Sequence, residues 1–476
     1  MTLTNGNGTT KPTYYVPTPA DIAINNHKDG DPSSILFKNV NIIDSTGRLP
    51  YLGDVLVEGE KTKSVGKVDT QPDETTLIIN GCGSKTLMSG LIDPHTHLSW
   101  NNSPTLDGLT SLPIEEHVLH TANSARTYLD CGYTMCFGAA AAQLRLDLVI
   151  KNAIKSGMIP GPRTLSNCME ITTTGGAIVP SISRFADGAD EMRKVVREFC
   201  SLGVDNIKLS MTGDCVHETM GSEETYYTLA ETVAAVDEAH NRGKRVCAHA
   251  RSAASVKLCC KAGVDVVYHA SYVDAKGLDM LEEMKGRVWV APAINFPLTR
   301  CTGEAIPYGL TPEMAAKKGL KHEVDAACKA MNELRKPGVR VLPGGDYGFA
   351  WAPHGTYARD LAHFVNLFGY TPMESIICAT ALGGEMMGHG DELGKVQPDT
   401  MPTSFLLMAI RWKISRFFRI LPIYMRLFSV AMCIRTWPRV RRCLNRRVQV
   451  CHMWTRTESQ ICLWWVARKR RAWIRM

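Results

Sequence analysis

Two histidines one residue apart, His95 and His97, close the run LIDPHTHLSW at residues 91–100. On a β-strand the side chains at i and i+2 project from the same face, so these two imidazoles can grip one ion together. A polar residue of ligand type also interrupts the end of four later apolar runs. These are Lys208 in GVDNIKLSM, His249 in KRVCAHA, His269 in GVDVVYHAS and Asp346 in GVRVLPGGD. Four imidazoles and one carboxylate suit zinc or a similar divalent transition metal. Lys208 is the odd member, because an ammonium repels cations. Converted to a carbamate by carbon dioxide, it would offer two anionic oxygens able to bridge two ions. Any one of these residues alone reads as a hydrogen-bonded structural group. Six of them ending five runs in order do not.

The elements that must position them can be read from the same runs. Residues 90–98, 132–138, 161–167, 203–211, 244–250, 263–271, 287–294 and 338–346 have strand character, with helical patterns such as EETYYTLAETVAAVDEAHNRG between them. Eight such units predict an α/β fold, a (β/α)8 TIM-like barrel over residues 89–398, with a doubly wound open sheet as the alternative. In such a barrel the C-terminal strand ends converge, which would bring the six residues to one site. Residues 34–88 carry short apolar stretches broken by turn residues near Gly47 and Gly59, which reads as a small antiparallel β unit. Residues 1–33 are polar, without the apolar core of a secretory signal, so they read as a disordered arm on a cytoplasmic protein. The sixteen cysteines contain no CxxC pair and read as reduced thiols.

The motifs GLIDPHTH, IKLS, CAHA, VVYHAS and PGGD, in this order, resemble the amidohydrolase superfamily of metal-dependent hydrolases. The likeness runs from about residue 35 to 398. It is greatest to the branch of imidazolonepropionase-related, prolidase-like and ochratoxinase-like enzymes, whose closing helix and following loop FGYTPMESIICATALGGEMMG and DELGKV resemble. The resemblance implies a barrel with a small β-sandwich built from chain on both sides of it. By motif match it assigns His95, His97 and Asp346 to one divalent ion, His249 and His269 to a second, and carbamylated Lys208 to the bridge. It implies hydrolysis of an amide, peptide-like or cyclic amide C–N bond through a metal-bridged hydroxide, with Asp346 as the catalytic proton carrier. Tyr347, His354 and Arg359 follow Asp346 and are expected to line the pocket mouth, Arg359 as a partner for a substrate carboxylate. Two departures bear on the substrate: Ala177 stands in TTGGAI where relatives often carry a histidine, and strand two ends in CFGAA where an Arg-Asp pair is common.

The last segment differs in kind. Residues 401–476 hold 17 Lys and Arg against a single acid, Glu458, whereas the first 400 residues hold 37 against 46. The tail has no Gly or Asp but six of the nine tryptophans, and arginines at 416, 419, 426 and 435 interrupt any membrane span. Codon degeneracy offers an explanation. DTMPT at 399–403 can be encoded by bases that, read one position earlier, give GYYAD, and MAIRWK at 408–413 can likewise give NGDPLE. Relatives carry sequence of the kind GYYADLLLVDGDPLEDI at this point. Residues 399–476 therefore read as out-of-frame translation beginning near Pro398, and the strands of 34–88 are expected to be left with open edges and an uncovered apolar face.

The expected protein is a cytoplasmic amidohydrolase acting on a small molecule with two divalent ions, with no nucleic-acid or membrane partner and with homo-oligomerisation left open. Two alternatives remain. One is a metal-dependent deaminase of a small heterocycle, typically mononuclear and independent of Lys208. The other is a catalytically dead barrel whose basic tail binds membranes or nucleic acid.

Overall fold

The computed structural model describes residues 34–69, 76–214, 219–402 and 406–408. The arm 1–33 and most of the basic tail lie outside the described residues.

Ahead of the barrel, β1 (Ser34–Ile43), β2 (Tyr51–Glu58) and β3 (Lys61–Gly66) form an antiparallel meander. Two further strands, β4 (Thr76–Asn80) and β5 (Thr86–Met88), differ from the antiparallel expectation, since both run parallel to β1. They lie end to end along its other edge. β4 pairs with residues 34–38 and β5 with 41–43, and the loop between them follows a bulge in β1 between Phe37 and Val40. Gly81 and Gly83 donate to the carbonyls of Lys38 and Asn39 at 2.7 and 2.8 Å. A Cβ on Gly81 would come within 2.7 Å of Val40 Cγ1, so only glycine fits this close approach. Ile35, Phe37, Val40, Ile42, Val55, Val57 and Leu87 bury together with Val396.

Chain from beyond the barrel returns to this sheet. Asp399 donates to Thr62 O, and Thr62 donates to Thr400 O, both at 2.8 Å. β16 (Leu406–Met408) pairs antiparallel with β5, from Leu406 opposite Met88 to Met408 opposite Thr86. The edge of β5 expected to stay open is thus covered by the first residues of the atypical segment. Ladder formation uses backbone N–H and C=O groups, so it does not depend on the family's usual side chains.

The main domain is a (β/α)8 barrel. Its strands fall within all eight expected runs: β6 (Leu91–Thr96), β7 (Tyr133–Gly138), β8 (Arg163–Leu165), β11 (Asn206–Ser210), β12 (Arg245–Ala250), β13 (Val266–His269), β14 (Trp289–Ala291) and β15 (Arg340–Val341). Two short strands, β9 (Glu170–Thr172) and β10 (Ser183–Phe185), are additional. Every pairing in the barrel is parallel. Ser166 O accepts from Asp205 N at 2.8 Å, joining the end of β8 to the start of β11. Gly344, just after β15, lies so close to β6 that a Cβ there would meet Pro94 Cγ at 2.7 Å.

Amphipathic helices cover the strands. In Gly188–Leu202 the buried residues Met192, Val195, Val196 and Phe199 follow helical spacing, and Gly203 stops the helix at φ 94°. The pattern at 223–243 forms helix only over Leu229–His240, because a Thr228–Glu231 capping box fixes its start. Inside the barrel Met135, Phe137, Tyr268, Trp289 and Leu342 pack with Met386, Met387 and Leu393. This packing fills the barrel interior up to the site, where Tyr268 stacks on His95. The described cysteines are free thiols.

Candidate metal centre

The six expected ligands project from the C-terminal ends of five strands into one buried cluster. His97 Nε2 lies 3.0 Å and His95 Nε2 3.8 Å from Asp346 Oδ1. The donor atoms of these three residues all fall within 4.8 Å of one another. Ring centroids continue the cluster, with His95 5.3 Å from His269 and His269 4.4 Å from His249. Lys208, 2% exposed, places its ammonium 4.9 Å from the Tyr268 ring centroid. His269 and Asp346 have left-handed φ angles of 70° and 60°. For residues with a Cβ this costs about 1–3 kcal/mol each and is concentrated at functional sites.

Packing fixes the imidazole planes. His95 stacks on Tyr268 at 3.8 Å and His97 on Trp100 at 3.5 Å, both with ring planes 12° apart. His97 Nδ1 lies 2.9 Å from Ala140 O and 3.3 Å from Ala140 N, contacts that hold the ring with Nε2 facing Asp346. His249 Nε2 lies 3.2 Å from Gly213 O and 3.3 Å from Arg251 Nε, two contacts that hold the ring in place. Asp93 accepts from His95 N at 3.0 Å and from Tyr128 Oη at 2.7 Å, which pins the segment leading into the first histidine.

Burial holds all four imidazoles below their ordinary pKa, with the Lys208 charge adding to the effect. They are therefore neutral, the form that ligates metals. Burial opposes ionisation of Asp346, but His95, His97 and Lys208 outweigh it and hold its carboxyl well below the usual range.

Several of these atoms make no hydrogen bond among the described residues: His95 Nδ1, His97 Nε2, both nitrogens of His269, and Asp346 Oδ1. Leaving a buried polar atom unpaired costs about 1–3 kcal/mol, so a cluster of them calls for a partner. Nitrogen and carboxylate donors directed at one another fit a divalent transition ion.

A small cavity opens onto the cluster. Trp100, Leu106, Ile178, Val179, Ile182, Phe296 and Phe349 form its apolar wall, and Glu170, Asp214 and Arg251 join the ligand cluster among its polar groups. Arg251 is committed to a fully buried ion pair with Glu323, which also accepts from Ser271 Oγ at 3.0 Å. Burial raises the Glu170 carboxyl, opposed by Lys208 and by a 3.1 Å hydrogen bond from Ser183.

The three residues expected at the pocket mouth are placed elsewhere. Tyr347 is buried and donates to Asp360 Oδ2 at 3.1 Å, within an aromatic cluster that includes Tyr357. His354 bridges Trp100 O and the Tyr357 hydroxyl at 2.9 and 3.0 Å, and burial lowers its pKa to about 3. Arg359 pairs with Glu304 at 2.6 Å, on a segment 55 residues away. Each side chain's polar group finds a partner in the protein, and none of the three is among the residues lining the cavity. Conversely, the sequence reading missed Glu170, Trp100 and the Arg251–Glu323 pair. Arg251 had a signal, being two residues after His249 and so on the same face of the chain. Glu170 had none, because its strand was not among the expected runs.

Residues 86–399 match the model of the amidohydrolase family, and the chain belongs to that family. It is 27% identical over 323 residues to ochratoxinase of Aspergillus niger, covering 62% of this chain. The chain spans about 64% of the length of that curated relative. Among solved structures it resembles an amidohydrolase, at TM-score 0.68 and 26% identity, over 79% of this chain and 92% of that one. It also resembles a Xaa-Pro dipeptidase with bound methionine in the active site, at TM-score 0.70 and 20% identity, over 80% and 94%.

Proposed function

We propose that this protein is a binuclear metal-dependent hydrolase that cleaves an amide, peptide-like or cyclic amide C–N bond of a small molecule. His95, His97 and Asp346 would hold one ion, His249 and His269 the other, and Lys208, as its carbamate, would stand between them. Zinc fits the donor set. When bound, such ions polarise a carbonyl and lower the pKa of water.

The chain's own residues do the rest. Asp346, ionised and buried against two histidines, can take the proton released by the attacking water and return it to the leaving nitrogen. The apolar wall of Trp100, Phe296 and Phe349 limits bulk water around the reacting bond. Stacking on Tyr268 and Trp100 keeps His95 and His97 from rotating out of position. The observation that carries this reading is the buried His95–His97–Asp346 constellation with its unpaired donor atoms.

The test is to measure metal content and to screen N-acyl amino acids, dipeptides and lactams for hydrolysis. Two ions per chain with turnover of an amide is the expected result. One ion per chain with release of ammonia from a heterocycle would replace it with the deaminase reading.

We further propose a cytoplasmic location and no membrane or nucleic-acid partner. Among the described residues no helix is long and apolar enough to cross a membrane. Residues 399–476 are proposed to be out-of-frame translation, with the natural small domain continuing in the other frame. Sequencing the transcript across the codons for Gln397 to Trp412 tests this. A message that encodes the tail as written, with neither base change nor alternative splice junction, would overturn it.

A further inference from the structure

The cavity beside the metal centre has an uneven charge inventory. Among the described residues, its charged side chains outside the proposed ligands are Glu170, Asp214 and Arg251. Arg251 is already satisfied by the buried carboxylate of Glu323, and its Nε lies 3.3 Å from His249. If Lys208 is carbamylated, as the proposed function has it, the cation nearest to Glu170 becomes an anion. Among the described lining residues the cavity then retains two carboxylates and, Arg251 being committed to Glu323, no cationic side chain to receive an anionic substrate group. Glu170 is 6% exposed, and the hydroxyl of Ser183 is a weak counterpart for a full charge.

The wall has a complementary character. Trp100 and Phe349 meet edge to face at 4.9 Å, and Phe296 lies 5.0 Å from Phe349. Aromatic faces attract cations through the ring quadrupole, more strongly where water is excluded. A carboxylate and a cluster of aromatic rings around one cavity is a combination that recognises an ammonium.

We infer that Glu170 is a specificity-determining residue that selects amides bearing a cationic amine and disfavours those bearing a carboxylate, the aromatic cluster cradling the same group. This rests on the hydrolase reading of the site, and the test separates the two.

Three benzamides of nearly equal size carry the discriminating charge: N-(2-aminoethyl)benzamide, N-propylbenzamide and N-benzoyl-β-alanine. Dissociation constants from calorimetry and kcat/KM values are measured on the metal-loaded protein. The expected order is cationic, neutral, anionic, with at least tenfold between the extremes in binding. In Glu170→Gln the ratio of cationic to neutral binding should fall at least fivefold, and Glu170→Asp should recover part of it. Preference for the anion, no preference, no measurable binding of any of the three, or a ratio unchanged in Glu170→Gln would each overturn the inference. Binding in the expected order without turnover would leave it standing and count against the hydrolase reading alone.

Discussion

His97 Nε2 and Asp346 Oδ1 stand 3.0 Å apart, both buried, yet neither makes a hydrogen bond among the described residues. Ala140 holds the His97 ring through Nδ1, so Nε2 stays directed at the carboxylate, and a buried nitrogen and carboxylate oxygen facing each other fit a cation shared by both.

Replacing Asp346 with Asn keeps an oxygen donor and removes the proton acceptor. Metal content should persist while hydrolysis falls by about two to four orders of magnitude. Elemental analysis and initial rates on the same sample check this, and a near-wild-type rate would remove Asp346 from its catalytic role.

Both ring nitrogens of His269 are unpaired among the described residues, which leaves its imidazole available to a ligand. His269→Ala should bind about one ion fewer per chain. Chelation of the wild type should lower its melting temperature by exposing the unpaired cluster, and zinc should restore it. Unchanged metal stoichiometry in His269→Ala would exclude it as a ligand.

Arg251 and Glu323 are each 2% exposed and paired with each other. Glu323→Ala strands a buried guanidinium and should cost about 3–5 kcal/mol in denaturant unfolding. Arg251→Met combined with Glu323→Leu should recover much of that loss, since no charge is then left buried. Equal destabilisation in the double variant would show that the pair's packing, not its charge, matters.

Asp147 is buried, and burial pushes its carboxyl up to about 7, opposed by Ser99. Between the unfolded pKa near 4 and this folded value the unfolded state sheds a proton that the native state keeps, so stability falls as pH rises through that window. Asp147→Asn should therefore gain stability relative to wild type from pH 4 to 7 and hold the gain above, by up to roughly 4 kcal/mol. Parallel pH profiles of unfolding free energy would refute this.

Asp399, Thr400 and residues 406–408 are hydrogen-bonded to the small sheet. A chain ending after Met408 should melt within about two degrees of the full chain, and one ending after Pro398 several degrees lower. Equal melting temperatures for the two truncations would mean that these ladders contribute no stability.

Much of the architecture was legible because the responsible physics is local or periodic. Alternation and turn residues marked all eight barrel strands, and the ligand-type residues at their ends reported a shared site. The β4–β5 edge was not legible, since parallel pairing to β1 depends on a bulge and a glycine contact that no local pattern announces. Tyr347, His354 and Arg359 were misplaced for a related reason. Proximity to Asp346 in sequence says nothing about which distant carboxylate or carbonyl will claim each polar group, as Glu304 claims Arg359.

The sequence by itself determined the chemical types and order of the six candidate ligands, because strand periodicity aligns i and i+2 and a repeated strand–helix unit orders strand ends around a barrel. Only the tertiary structure decided which nitrogens stay unpaired, that Arg251 is spent on Glu323, and that Glu170 faces the cavity. Those outcomes depend on burial and on competition among partners far apart in the chain, and they are settled only when the whole core closes.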